Sequence, residues 1–264
     1  MKKIMLSALL LSLPLMSYAR QFFPAPEAAA EAFAAAVAQQ NKTQLTALLG
    51  DNWQQYLPAD GADAEAVARF NRDWQVRHHI VLQGDTAYLN VGQEDWQLPI
   101  PLVKTDRGWR FDMVAAQEEI LTRTIGRNEL SAIQAMHAYV DAQYDYWQRT
   151  QTFARKLVSS EGRQDGLYWP VKPGETPSPL GPAFTAVASG AGYHGYHFRM
   201  IKSQKADSFA LLAWPVVWGE TGVMSFMVNQ DDNVWQANLG QDTEKKVQEI
   251  DSFATDSAWQ IVSQ

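Results

Sequence analysis

The residue texture of this 264-residue chain passes from helical to β-rich twice, and that double alternation limits the folds open to it. The stretch PAPEAAAEAFAAAVAQQNKTQLTALLG starts on Pro24 and Pro26, where proline favours a helix start. It then places Ala30, Phe33 and Val37 on one face, continues through Leu45, Leu48 and Leu49, and stops at Gly50. A third helix is expected from about Asp63 to Arg77, with Val67, Phe70 and Trp74 three and four apart. Short segments of β-rich composition follow: HIVLQGDTAYLNVG, DWQLPIPLVKT and GWRFDMV. They are punctuated by Gly84-Asp85 and Asp106-Arg107-Gly108, both hairpin signals. From Asn128 the pattern starts again. Asn128 is a candidate cap for a long helix whose expected apolar stripe is Leu130, Ile133, His137, Val140, Tyr144 and Trp147. The stretch GLYWPVKPGETPSPLGP, with five of the twelve prolines, cannot be regular structure. Strand patterns return in GYHFRMIKS, FALLAWPV, GVMSFMVNQ and NVWQANLG. The expectation is an α+β fold of two helix-then-sheet units: an N-terminal domain over 20–126 and a C-terminal domain over 127–264.

Residues 1–19, MKKIMLSALLLSLPLMSYA, carry two lysines, a short apolar run and small residues at Ser17 and Ala19. This is the three-part layout of a cleaved secretory signal. Localisation is therefore expected to be periplasmic or secreted, with no stable membrane insertion after cleavage. There is no cysteine, which excludes disulfides, zinc thiolates, iron–sulfur clusters and thiol nucleophiles and leaves stability to the core. Cleavage would remove Lys2 and Lys3 and leave 20 basic against 29 acidic residues, a balance of −9 without any basic run. That argues against nucleic acid and anionic lipid as partners and leaves an envelope protein or a small molecule.

Several clusters resemble reactive sites and read better as structure. YHGYHFRMI holds His194 and His197 at an odd separation, which on a strand points them to opposite faces. Tyr196, Phe198 and Met200 alternate with His197, Arg199 and Ile201. His78-His79 would be split between faces in the same way, and His137 lies within the helical stripe as a hydrogen-bonded core histidine. Asp231-Asp232-Asn233 is a polar hairpin turn rather than a calcium loop. Glu118-Glu119 and Glu94-Asp95 read as solvated faces. No serine sits in a nucleophile motif and no glycine loop binds phosphate, so no catalytic residue, metal site or cofactor is assigned. The binding candidate is the proline-rich loop, with Tyr168, Trp169, Asp165 and Glu175, because long loops in compact domains commonly bind something or are packed down.

IGRNELSAIQAMHAYVDAQ, DGLYWP, SPLGP, YHGYHFRM and TGVMSFMVNQDDNVW resemble, over nearly the whole mature chain, a family of exported bacterial proteins known as domain of unknown function 2950. The family implies no activity. The C-terminal half is also similar to the globular heads of type IV pilins and type II secretion pseudopilins. The resemblance rests on this chain's succession of a long helix ending in AQYDYW, a proline-rich loop, GYHFRM, the strand end Ala213-Trp214-Pro215 and TGVMSFMVNQDDNVW. That resemblance implies a helix packed on an antiparallel sheet. By element order alone the first unit is similar to the cone-shaped nuclear-transport-factor-like or cystatin-like folds. Together these imply a non-enzymatic binding or assembly module of the bacterial envelope. The alternative is a small-molecule-binding or hydrolytic protein with a pocket in the N-terminal domain near Trp53, Tyr88, Trp96 and Trp109.

Overall fold

The computed structural model describes residues 21–56, 64–184 and 192–262, and the segment read as a signal lies outside them. The chain divides into two compact units between Ile120 and Leu121. Both are α+β.

The first unit opens with α1 (Pro26–Ala38), which has proline in its first turn and buries Ala29, Ala30, Phe33 and Ala36. Then α2 (Lys42–Leu49) is capped by Asn41, whose side chain accepts the Gln44 N–H, and is closed by Gly50 at φ 96°. After a single turn at Trp53–Tyr56 and α3 (Ala64–Val76) comes an antiparallel sheet. Its strands are β1 (His78–Gln83), β2 (Thr86–Val91), β3 (Trp96–Gln97), β4 (Leu102–Thr105) and β5 (Gly108–Phe111). They run in the order β1-β2-β4-β5 with β3 beside β2. Gln83 pairs with Thr86 and Thr105 with Gly108, so both expected turns close two-residue hairpins. Gly108 is required where it stands: φ is +117°, and a Cβ there would lie 2.4 Å from the Phe23 carbonyl oxygen. That close approach lets Phe23 and Trp109 exchange two 2.8 Å main-chain hydrogen bonds, which tie the incoming chain to β5. The core of this unit gathers Phe33, Leu48, Leu89, Leu102 and Phe111 between helices and sheet.

The long helix does not begin at Asn128. It is α4 (Met113–Thr150), 38 residues, and it starts after Asp112, whose carboxylate accepts the Val114 N–H and whose carbonyl accepts the Ala116 N–H. Asn128 looks like a start, two residues after Gly126. However, one glycine costs a helix only about 1 kcal/mol relative to alanine, and the residues around it favour helix. Asn128 lies mid-helix and donates instead to the Thr221 carbonyl.

In the second unit β6 (Tyr196–Ile201), β7 (Ala210–Pro215), β8 (Ser225–Asn229), β9 (Trp235–Ala237) and β10 (Gln260–Ile261) form an antiparallel sheet in the order β10-β9-β8-β7-β6. One face, with Tyr196, Phe198, Leu211, Ala213, Phe226 and Val228, shares a core with α4. The other, with Ala210, Leu212, Trp214 and Met227, lies under α5 (Thr243–Gln248), Phe253 and Trp259. Covered on both sides, β7 is buried throughout.

The stripe of α4 that enters the core is Ala132, Ala135, Met136, Tyr139, Val140, Ala142, Gln143 and Tyr146, with Ile133 partly buried beside it. Val140 and Ile133 are as expected, but the stripe is centred about one position before the expected 137, 144 and 147. One position is about 100° of rotation. Leu130, Tyr144 and Trp147 are exposed, and His137 is half-buried at the rim. The expectation followed the large apolar side chains. The sheet instead takes small alanines, which allow close approach, and tyrosines whose hydroxyls find carbonyls: Tyr139 to Ala210 and Tyr146 to Gln164.

Candidate functional site

Within YHGYHFRMI the strand is Tyr196–Ile201, with the expected alternation, and Tyr193, His194 and Gly195 form the turn that leads into it. Tyr196 and Phe198 are buried toward α4, with Met200 partly so. On the opposite face the ring of His197 lies against Trp214, and Arg199 donates to the carbonyls of Val247 and Ile250 at the end of α5. Arg199 is thus a helix-end cap, placing a cation where the helix dipole is negative. His194 is exposed in the turn before the strand, at φ 47°. His78 stacks on Trp74 at 3.8 Å, and His79 Nδ1 lies 3.7 Å from Asp95. His137 Nδ1 lies 2.8 Å from Asp232 Oδ1, which ties α4 to the β8–β9 turn. In that turn Asp231 accepts from Lys205 and Asn229, so its oxygens are occupied by protein donors. Glu118, Glu119, Glu94 and Asp95 are on the surface.

The proline-rich loop is held down at its beginning and open further along. Leu167 and Trp169 are buried in the α4 core together with Leu180 and Phe184. The main chain of Leu167 and Tyr168 bonds to residues 156–159, and Leu180 N–H bonds to Leu167. Asp165 is a staple: its carboxylate accepts from Lys156 Nζ at 2.7 Å, from the Ser160 N–H at 2.7 Å and from the Ser160 hydroxyl at 3.0 Å. Tyr168 is half-buried, and Glu175 is exposed and caps the Lys172 N–H. Of the four candidates, Trp169 and Asp165 are thus committed to the loop's own packing, whereas Tyr168 and Glu175 retain contact with solvent.

The Lys156 ammonium, then the Ser160 N–H, hold the Asp165 carboxyl well below its ordinary 3.8. A carboxyl depressed in the folded state adds stability that is present above that ordinary value and is lost as pH falls toward the lower folded value. Wild type should therefore lose stability below about pH 4 more steeply than Asp165→Asn does. Melting temperatures of both proteins between about pH 5 and pH 2 check this, and parallel curves would contradict it. Burial raises the hydroxyls of Tyr139 and Tyr196 far above the ordinary tyrosine range, with Glu129 adding to the effect at Tyr196. Both rings are hydrogen-bonded members of the core and stay neutral.

A more open site forms where β7 leaves the sheet. Pro215, Val216, Val217 and Trp218 face Gln241, Thr243 and Glu244 of the α5 entry across a groove of about 430 Å³. That lies within the 300–1,000 Å³ typical of ligand clefts. Its walls are fixed. Trp214 Nε1 donates to Glu244 at 2.9 Å and Trp218 Nε1 to Asn238 at 3.1 Å. Thr221 bonds to the main chain of Val217 in both directions. From α4, Glu129 accepts the N–H groups of Val223 and Met224. The valines are consequently held out in water, 39% and 43% exposed, on a loop that cannot collapse over them. The lining presents apolar surface from Pro215, Val216, Val217 and Trp218 together with one carboxylate, Glu244, and no basic side chain. Sequence reading missed it because Val216 reads as the last residue of the strand FALLAWPV, and only the internal bonding of the loop that follows turns Val216 and Val217 outward.

In the first unit a smaller cavity of about 190 Å³ lies between Glu27, Ala30 and Glu31 of α1 and Trp74, His78, His79, Ile80 and Leu89. It does not involve the four aromatics expected to line one. Trp109 is buried, Trp53 is bonded to Thr46, Tyr88 is half-buried and Trp96 is exposed.

The sequence pattern behind these elements, from the paired hairpins to the proline-rich loop, matches a protein family, described as a protein of unknown function (DUF2950), over residues 20–262. The chain belongs to that family. As a DUF2950 member it is matched across both units, so the groove and the edge of the first sheet lie within the family's extent. No curated protein matches the chain.

Proposed function

We propose that this DUF2950 protein is an exported, non-enzymatic binding or assembly module of the bacterial envelope, and that its second unit holds a partner in the groove at Val216–Trp218. The observation that carries the reading is the exposed valine pair on an internally bonded loop beside Trp218. Isolated exposed apolar residues are ordinary, but a rigid apolar lip on a ligand-sized cleft marks an interaction site. The amino-terminal layout of residues 1–19 supports export, and the pairing of a long helix with an antiparallel sheet is what the pilin-head resemblance implies. Groove partners are apolar and neutral or cationic, given Glu244 on the wall.

Affinity capture with tagged mature chain from an envelope fraction tests it. The wild type should retain a partner that Val217→Asp loses, with both variants melting alike because position 217 is at the surface. Equal capture by the two would remove the groove from the account. Intact-mass measurement of native protein should show residues 1–19 absent.

A further inference from the structure

Strand β1 is an edge of the first sheet, and no described strand pairs with its outer side. In its pairing with β2 the odd residues His79, Val81 and Gln83 face inward to the ladder, as the Gln83–Thr86 hairpin closure and the Gly92 N–H to Arg77 carbonyl bond require. The main-chain groups of His78, Ile80 and Leu82 therefore point outward, and no hydrogen bond joins them to another described residue. Natural edges are blunted with charge, proline, a bulge or a covering element. The β1 sequence HHIVLQ has no proline and no lysine or acidic residue, and its pairing with β2 is regular over all six positions. The helical layer covers only the first part of it. Ile80 is opposite Leu89 and so faces the core, but two residues on Leu82 is 61% exposed on that same face. Beside the strand lies the 190 Å³ cavity, whose floor is Trp74, Ile80 and Leu89 and whose α1 wall carries the exposed Glu27 and Glu31, with no lysine or arginine in the lining.

An added strand would satisfy the three outward residues, and its alternate side chains would fall on the core face. There one apolar side chain would cover Leu82 and one basic side chain would reach Glu27 and Glu31. From this we infer that β1 is a docking edge for an extended peptide segment carrying lysine or arginine two positions from an apolar residue. This site is separate from the groove of the second unit and goes beyond the function proposed for it. Main-chain bonds supply affinity independent of sequence, and the two carboxylates supply the preference for a basic segment.

The test uses the mature chain and two blocked heptapeptides, Thr-Lys-Thr-Val-Thr-Lys-Thr and the same peptide with glutamate for lysine. Binding is followed by calorimetry and by hydrogen exchange of the β1 amides. The lysine peptide should bind at least about tenfold more tightly than the glutamate peptide. It should slow exchange at Ile80 and Leu82, which are expected to exchange fast in the free chain. Glu27→Lys with Glu31→Lys should reverse the preference. Leu82→Pro should abolish binding while leaving the melt near wild type, since that N–H points away from the ladder and an edge tolerates proline there. The inference is overturned by no binding, by equal binding of the two peptides, or by binding that survives Leu82→Pro. It is equally overturned if Ile80 and Leu82 are already protected in the free chain, or if the chain is a dimer that Leu82→Pro converts to monomer, since another segment or a second copy would then hold the edge.

Discussion

Phe198→Ala should destabilise the protein by about 3 to 5 kcal/mol, the usual cost of deleting a buried aromatic, while His197→Ala should cost no more than about 1. The two residues are neighbours on β6 and differ by the face they occupy. Phe198 is 6% exposed and lies among Phe184, Tyr193 and the α4 core. His197 is half-buried beside Trp214, where the neighbouring surface can relax around a smaller side chain. Denaturant melts of both variants decide the matter. If His197→Ala proves as damaging as Phe198→Ala, the imidazole is a buried polar centre and not a strand-face contact.

Gln143→Ala should be nearly as damaging, by about 3 kcal/mol or more, although no large apolar surface is lost. Gln143 is completely buried, and its amide both accepts the Ala154 N–H at 2.9 Å and donates to the Ala154 carbonyl at 3.0 Å. It also donates to the Tyr139 hydroxyl at 3.0 Å. The side chain pairs with the main chain as a strand would and clamps the segment that turns back after α4. Its removal orphans a buried donor and acceptor, each at about 1 to 3 kcal/mol. Gln143→Glu should also be poor, because a carboxylate cannot donate to the Ala154 carbonyl. A melt of either variant within about 0.5 kcal/mol of wild type would contradict this.

These two residues mark what was legible from sequence and what was not. The period-2 alternation of β6 could be read because Tyr196, Phe198 and Met200 differ sharply in polarity from His197 and Arg199. The hairpins could be read because Gly84-Asp85 and the turn before Gly108 have few other conformations open to them. Gln143 could not be read, since a glutamine on a helix looks solvated until its partner, eleven residues on, is seen to lie against it. The shift of the α4 stripe away from His137, Tyr144 and Trp147 has the same origin: Val140 is buried as its size suggests, but beside it burial follows the close approach of alanines and the partners that Tyr139, Gln143 and Tyr146 find. In the proline-rich loop, composition pointed to irregular backbone, but only hydrogen bonds to residues 156–159 show Trp169 driven into the core and Asp165 stapled to Lys156 and Ser160. The groove stayed hidden because it depends on Thr221, Glu129 and Asn238 fixing a loop whose own residues resemble a strand.

Glu129 and Asn128 carry a consequence for the groove. From one turn of α4 they hold Val223, Met224 and Thr221, so the loop behind the valine lip is anchored to the longest element of the unit. A partner seated at Val217 therefore meets a preformed surface and avoids the ordering cost that a mobile loop would impose. Residue-specific photo-crosslinking in intact cells tests that surface most directly, with the photoreactive side chain placed at Val217 and, as a control, at the exposed Leu130. The account predicts one discrete envelope-protein adduct from position 217 that Trp218→Ala weakens, and none from position 130. A position 217 that yields no adduct, or the same adducts as position 130, would contradict it.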